Sequence, residues 1–436
     1  MKAEFGWIGI ARLGLVQAAI GAMVVLTTST LNRVMVVELG LPALLPGLLV
    51  ALHYIVQLLR PRMGFGSDIG GRRTPWIIGG LAVLAIGGIG ASFATAWMAT
   101  SPGPGIALAV LCFLLIGVGV SASGTSLLVL LATRVPEHRR APAATIVWMM
   151  MIVGFAVTAG VAGKLLDPYS PARLVAVTAA SCALALVVAV FALHGLEGAG
   201  ARAPAREAAP KFIVALKQVW GEADARRFTI FIFVSMLAYS AQDLILEPFA
   251  GTVFGYTPGE STSLSGVQHG GVLVGMILVA VAGQRFGSLR AWTVGGCIAS
   301  ALALTSLVGA AALGADWPFR ETVFLLGVSN GAFSIAAIGS MMRLAGQGRE
   351  GREGVRMGLW GAGQAVAFGL GGLLGTAASD LARWLLGSPA AAYASVFAFE
   401  ALLFLLSAVL AARIDSPHRV AVARRPFVEP AVVEPR

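Results

Sequence analysis

Twelve apolar runs, at 13–38, 42–59, 75–98, 105–131, 142–163, 173–193, 228–250, 264–282, 291–313, 321–342, 356–378 and 389–412, leave this chain few ways to fold. About 20 mainly apolar residues in helical geometry cross the hydrocarbon of a bilayer. With no water there, a segment must satisfy its own peptide groups, which selects the helix. The composition agrees: 57% of residues are hydrophobic and 12% charged, against about 25% charged in a soluble domain. The sequence therefore predicts an all-α integral membrane protein. A net charge of +10 would suit nucleic acid, but the Lys and Arg residues sit in short clusters between the runs, where they record orientation. The lipid bilayer is the expected partner, and nucleic acid is not. Cys112, Cys182 and Cys297 are isolated within apolar runs, so no directly bound metal and no disulfide framework are expected. Met1 to Arg12 lacks a small-residue cleavage pattern, and the first run is expected to be retained.

The longest polar interval, Gly195 to Arg227, separates six runs from six. The expected organisation is an N-terminal six-helix half at 1–194, a cytoplasmic linker at 195–227, a C-terminal six-helix half at 228–412 and a mobile cytoplasmic tail at 413–436. Within the linker, Phe212, Leu216, Val219 and Trp220 could form the apolar side of an interfacial helix. Six spans, a linker and six more is the arrangement of a major-facilitator-type bundle of twelve transmembrane helices in two pseudo-symmetric halves. The basic clusters, such as Arg60, Arg62, Arg72 and Arg73, or Arg134, Arg139 and Arg140, fall on one side. The positive-inside rule then puts both termini in the cytoplasm.

The loop after the second run reads Gly64-Phe-Gly-Ser-Asp68-Ile-Gly-Gly71-Arg72-Arg73. It resembles the facilitator loop signature G-x-x-x-D-x-x-G-R-R, with Ile69 where a basic residue often stands. Glycines permit the tight turn, and Asp68 could cap a neighbouring helix.

Charges inside the spans are costly and usually functional. Asn32, Arg33 and Glu38 lie in the first span, and Gln242, Asp243 and Glu247 in the seventh. The four-residue spacing of Asp243 and Glu247 predicts one shared helix face. The first and seventh spans line the central cavity of this fold, so Arg33 is expected to meet Asp243 or Glu247. Close carboxylates resist joint ionisation, which makes proton coupling one role for the cluster and closure of the outer mouth another; a structural ion pair is the plainer reading. Glu400, in the twelfth span, is an additional buried acid, equally suited to a satisfied interhelical hydrogen bond. Two histidines fall within spans, His53 and His269. Neutral imidazole can ligate the magnesium of a chlorin, and Gly270 and Gly271 would let a flat ring approach; a hydrogen-bonded core role competes for both. The sequence has no Gly-Lys-Ser/Thr phosphate loop, HExxH or paired CxxC, so no enzyme is expected.

Four stretches resemble the PucC/LhaA family of photosynthetic bacteria, the bacteriochlorophyll-delivery facilitators. They are Thr30-Leu-Asn32-Arg33-Val-Met-Val-Val-Glu38-Leu-Gly40, Ala241-Gln242-Asp243-Leu-Ile-Leu-Glu247-Pro248-Phe249, Gly327-Val-Ser-Asn-Gly331-Ala-Phe333 and Gly358-Leu-Trp360-Gly361-Ala-Gly-Gln364-Ala. The resemblance runs from the first span through the twelfth. It implies an assembly factor that handles bacteriochlorophyll, or a precursor, as its bound ligand, with no other cofactor. The implied partners are light-harvesting α/β polypeptides, reaction-centre subunits and bacteriochlorophyll synthase, and the implied location is the bacterial inner (cytoplasmic or intracytoplasmic) membrane. The alternatives are a proton-coupled secondary transporter of an unrelated small molecule and a ligand-free assembly scaffold.

Overall fold

A computed structural model describes residues 5–59, 72–197, 212–283, 285–314, 317–347 and 353–414. The helices are α1 (Trp7–Glu38), α2 (Leu44–Val56), α3 (Thr74–Met98), α4 (Pro102–Arg134), α5 (Glu137–Leu166) and α6 (Pro171–Leu193), then a short α7 (Phe212–Gly221). They continue with α8 (Ala223–Val253), α9 (Pro258–Ala282), α10 (Leu289–Leu313), α11 (Phe319–Gln347), α12 (Glu353–Leu386) and α13 (Pro389–Arg413). Among the described residues there is no strand, and eleven helices are long and apolar enough to cross a membrane. The second expected span, α2, is shorter, with 13 residues extended by a 3₁₀ turn at Gln57–Leu59.

Local chemistry marks the boundaries. Pro102, Pro171, Pro258 and Pro389 occupy the first helical turns, where a missing N–H costs nothing. Ser170, Ser288 and Ser388 cap α6, α10 and α13 with their side chains. Thr257 and Glu260 close a full capping box on α9.

Packing repeats with a six-span offset. In the first half α1 packs on α5 and α6, α2 on α4, and α3 on α4 and α6; in the second, α8 packs on α12 and α13, α9 on α11, and α10 on α11 and α13. The halves meet along α5–α9 and α2–α12, which are themselves equivalent pairs. Ile152, Val272, Met276 and Val279 form a small apolar core at the first seam.

Small residues set the closest approaches, as expected where lipid removes the hydrophobic drive between helices. A Cβ added to Gly271 or Gly275 on α9 would strike the Phe324 or Val328 carbonyl of α11. Reciprocally, a Cβ on Gly327 or Gly331 of α11 would strike the Gln268 or Val272 carbonyl of α9. This corrects one expectation: Gly271 is covered by α11 and offers no bay for a flat ring, whereas Gly270 faces open space.

Gly64, Asp68 and Gly71 lie outside the described residues, as do most of the linker and the tail beyond Ile414. What caps α3 is Glu197, buried, whose carboxylate accepts from Arg73 N at 2.5 Å and Thr74 N at 2.8 Å. Arg72 is exposed and Arg73 buried. A helix, α7, forms where the sequence suggests an interfacial one, with Val219 buried and Trp220 exposed; the side chains of Phe212 and Leu216 are outside the described set. Arg356, 1% exposed, grips Glu222 with two bonds of 2.8 Å, tying the starts of α12 and α8 together.

Candidate functional site

The first span is not a plain α-helix. Its C-terminal part contains two π turns, Leu26–Thr30 and Val34–Glu38, around the three α-helical residues Leu31–Arg33. Each π turn inserts a residue and re-aims the side chains that follow, and such turns gather at functional sites. The second one decides the partner of Arg33. In an α-helix, residues five apart point about 140° away from each other; the π turn brings Glu38 round to Arg33, and the two pair at 2.5 Å. Arg33, 2% exposed, also donates to the Tyr256 carbonyl at 2.5 Å, and its guanidinium covers Gly251. The expected pairing of Arg33 with Asp243 or Glu247 is therefore replaced by a local one. Asn32 does cross between halves, donating to the Leu244 carbonyl at 2.6 Å.

The two acids of α8 part company. Four residues leave them about 40° apart, enough for each to find a different environment. Glu247, 2% exposed, points at a hydroxyl cluster between the halves: Ser29 of α1 and Ser265 of α9 face it and share a bond of 3.1 Å. Neither Glu247 oxygen completes a well-aligned hydrogen bond. Thr30 and Thr262 bond each other alongside, at 3.0 Å. Asp243, partly buried, lies instead in electrostatic contact with Tyr239 and with Glu400 of α13. Glu400 is 1% exposed and both of its oxygens lack a hydrogen-bond partner. Around this acid pair, rings form a chain from His53 and Tyr54 on α2 through Phe368 on α12 and Tyr239 on α8 to Phe333 on α11, with successive centroids 4.3 to 6.5 Å apart. Gln242 is fully buried with both amide atoms unsatisfied.

The histidines also differ. His53 has both ring nitrogens engaged, Nδ1 with the Val50 carbonyl at 3.1 Å and Nε2 with the Gln57 amide at 2.9 Å. His269 donates Nδ1–H to the Ser265 carbonyl at 2.8 Å, which assigns the lone pair to Nε2. Its ring meets Phe155 of α5 edge-on at 5.0 Å.

Ser29, Ser265 and Tyr256 were not singled out by the sequence, although the runs Thr27-Thr28-Ser29-Thr30 and Ser261-Thr262-Ser263 are visibly rich in hydroxyls for apolar spans. Asp380 was missed as well: its carboxylate accepts from Ala43 N and Leu44 N, at 3.1 and 2.7 Å, and so holds the start of α2 to α12.

This bundle, with polar ties between two six-span halves, has the fold of membrane facilitators. A POT family transporter in complex with 5-aminolevulinic acid superposes with a TM-score of 0.68 at 13% identity, covering 94% of this chain and 97% of that one. A bacterial homolog to the human lysosomal transporter Spinster gives 0.64 at 14% identity, covering 93% and 95%. Within that fold the chain belongs to the PucC family: residues 30–418 match the family model described as PUCC protein. The Rhodobacter capsulatus protein named bacteriochlorophyll synthase 44.5 kDa chain is 52% identical over 409 residues, 93% of this chain and 95% of that relative. Protein PucC of Cereibacter sphaeroides is 31% identical over 429 residues, covering 92% and 91%.

Proposed function

We propose that this multi-pass membrane protein carries bacteriochlorophyll, or a precursor, to light-harvesting and reaction-centre polypeptides during their assembly, and that it is a carrier rather than an enzyme. The observation that supports this most is the end-to-end relationship to a Rhodobacter capsulatus protein whose name ties it to bacteriochlorophyll synthase, on a facilitator fold. In this reading both termini face the cytoplasm and the partners are antenna α/β polypeptides, reaction-centre subunits and the synthase that supplies the pigment. His269 is the better magnesium ligand, because its Nε2 lone pair is uncommitted to a hydrogen bond while both nitrogens of His53 are engaged. It is buried at the α5–α9 seam, its ring against Phe155 of α5, so in this reading a macrocycle reaches it as that seam parts.

The test is gentle purification followed by absorption spectroscopy and pigment extraction, beside an unrelated facilitator prepared identically. Enrichment of a magnesium chlorin with this protein alone is expected. A pigment content equal to that of the control would overturn the carrier reading in favour of a scaffold. A second reading, proton-coupled transport of another small molecule, draws on Asp243, Glu247 and Glu400, which make no ion pair among the described residues.

A further inference from the structure

We propose that Glu247 is a proton-binding site built jointly by the two halves, loaded when the end of the bundle away from the termini is closed. This goes beyond the pigment reading and stands whatever the cargo is. Three observations carry it. Glu247 is 2% exposed and neither carboxylate oxygen completes a well-aligned hydrogen bond, although Ser29 and Ser265 lie within reach of it. The hydroxyls facing it come from opposite halves, Ser29 of α1 and Ser265 of α9, and are joined at 3.1 Å. The nearest cation, Arg33, is already held by Glu38 and by the Tyr256 carbonyl, at 2.5 Å each. A buried carboxylate is ordinarily held by an ion pair, and Glu247 makes none among the described residues. A neutral carboxyl suits two hydroxyls, since it both donates and accepts.

The charged groups near this end, on the elements that pack on α8, have other partners, Arg383 of α12 among them, which donates to the Tyr393 hydroxyl at 3.1 Å. On α1 they are Arg33 and Glu38; on α9, His269 one turn beyond Ser265 and Glu260 in the capping box. On α8 itself and α13, Asp243 and Glu400 interact electrostatically with each other. Asp380 of α12 is occupied with the start of α2, and Arg320 and Glu321 of α11 lie towards Tyr256. None of these pairs with Glu247. On release, the carboxyl O–H bond breaks, its electron pair stays on Glu247 and the proton passes to water. The new carboxylate competes for Arg33, whose Nε is buried without an acceptor. Winning it loosens the Arg33–Tyr256 tie, one of the contacts that seal this end.

The experiment uses the full chain in lipid nanodiscs, with Cys112, Cys182 and Cys297 changed to alanine. Spin labels at Lys164→Cys and Leu313→Cys, exposed and at the sealed end of opposite halves, report its opening. The wild-type site should shift from a short-distance to a long-distance population as pH rises. Glu247→Gln, which mimics the protonated acid, should lose that transition and stay short at every pH; Glu247→Asp should keep it. Glu38→Gln should move the transition to lower pH, because it releases Arg33 to the carboxylate. A pH-insensitive wild type, or a Glu247→Gln chain that still opens, would overturn the proposal. So would distances that follow sodium, exchanged for choline at fixed pH, rather than protons. Should Glu247→Gln fail to accumulate, infrared titration in D₂O compares the wild type with Glu247→Asp. A carboxyl carbonyl band that shifts between them and vanishes at alkaline pH supports the site; its absence overturns it.

Discussion

Arg33 and Glu38 form an unequal pair. The arginine is 2% exposed and the glutamate side chain 33%, so loss of the arginine leaves a carboxylate that water can reach, whereas loss of the glutamate strands a buried guanidinium. Leaving a buried charge unpaired is the expensive direction. Glu38→Ala should therefore destabilise more than Arg33→Met, which fills the same space without charge, by about 1–3 kcal/mol. The double variant should sit close to Arg33→Met, and thermal unfolding in one detergent measures all three. A Glu38→Ala chain as stable as the wild type would show that the Tyr256 carbonyl alone satisfies Arg33. The histidines separate in the same way. His53→Leu removes one partner of the buried Gln57 side chain and should cost about 1 kcal/mol of stability with little change in pigment per folded protein. His269→Leu should do the reverse, lowering the pigment-to-protein ratio while the melting midpoint stays near the wild type. Pigment unchanged in both single variants and in the double variant would remove histidine ligation from the carrier reading.

Between elements, the reciprocal glycines of α9 and α11 fix how closely those helices lie. Each of Gly271, Gly275, Gly327 and Gly331 sits against a backbone carbonyl of the other helix, so an added side chain meets a group that cannot rotate away. Gly275→Leu or Gly331→Leu should sharply reduce folded protein, measured by fluorescence-detected size exclusion. Gly270→Ala, with open space around its Cβ position, should be neutral or slightly stabilising, since alanine suits a helix better. The spacing of Gly327 and Gly331 was legible in the sequence, but their partner helix was not, because one chain's periodicity says which residues share a face and not what that face meets. The same boundary runs through the charged spans. Asn32, Arg33, Asp243, Glu247 and Glu400 stand out as polar residues in apolar runs, and the first and seventh spans do touch through Asn32. The Arg33–Glu38 pairing depends on a π turn that no residue pattern announces, and the Glu197 cap of α3 joins positions more than a hundred residues apart.

At the scale of the whole molecule, several polar ties between the halves, among the described residues, lie together towards one end. Ser29–Ser265, Thr30–Thr262, Arg33–Tyr256, Asp167–Thr257 and Asp380 with the start of α2 all lie at helix ends away from the chain termini. If the positive-inside rule holds, that end is periplasmic, and reporter fusions after Arg140, in the linker and at the C-terminus should all read cytoplasmic; a periplasmic C-terminus would mean an odd number of spans. A seal made of hydrogen bonds between short side chains can part without moving a hydrophobic core, which suits a bundle whose halves rock about a central site. Whether the protein must rock can be tested with one bond. The Thr30 and Thr262 hydroxyls are 3.0 Å apart and both residues are buried, so Thr30→Cys with Thr262→Cys places two sulfurs within a small adjustment of bonding distance. Oxidation with a membrane-permeant reagent should crosslink α1 to α9 and lock the end shut. In membranes that make antenna complexes, the locked form should lose pigment-complex assembly, and reductant should restore it. Each single cysteine variant should retain assembly under the same oxidant, which separates the lock from simple thiol damage. Full assembly with complete crosslinking would mean that this end need not open, so the cargo would enter and leave on the terminus side or laterally from lipid.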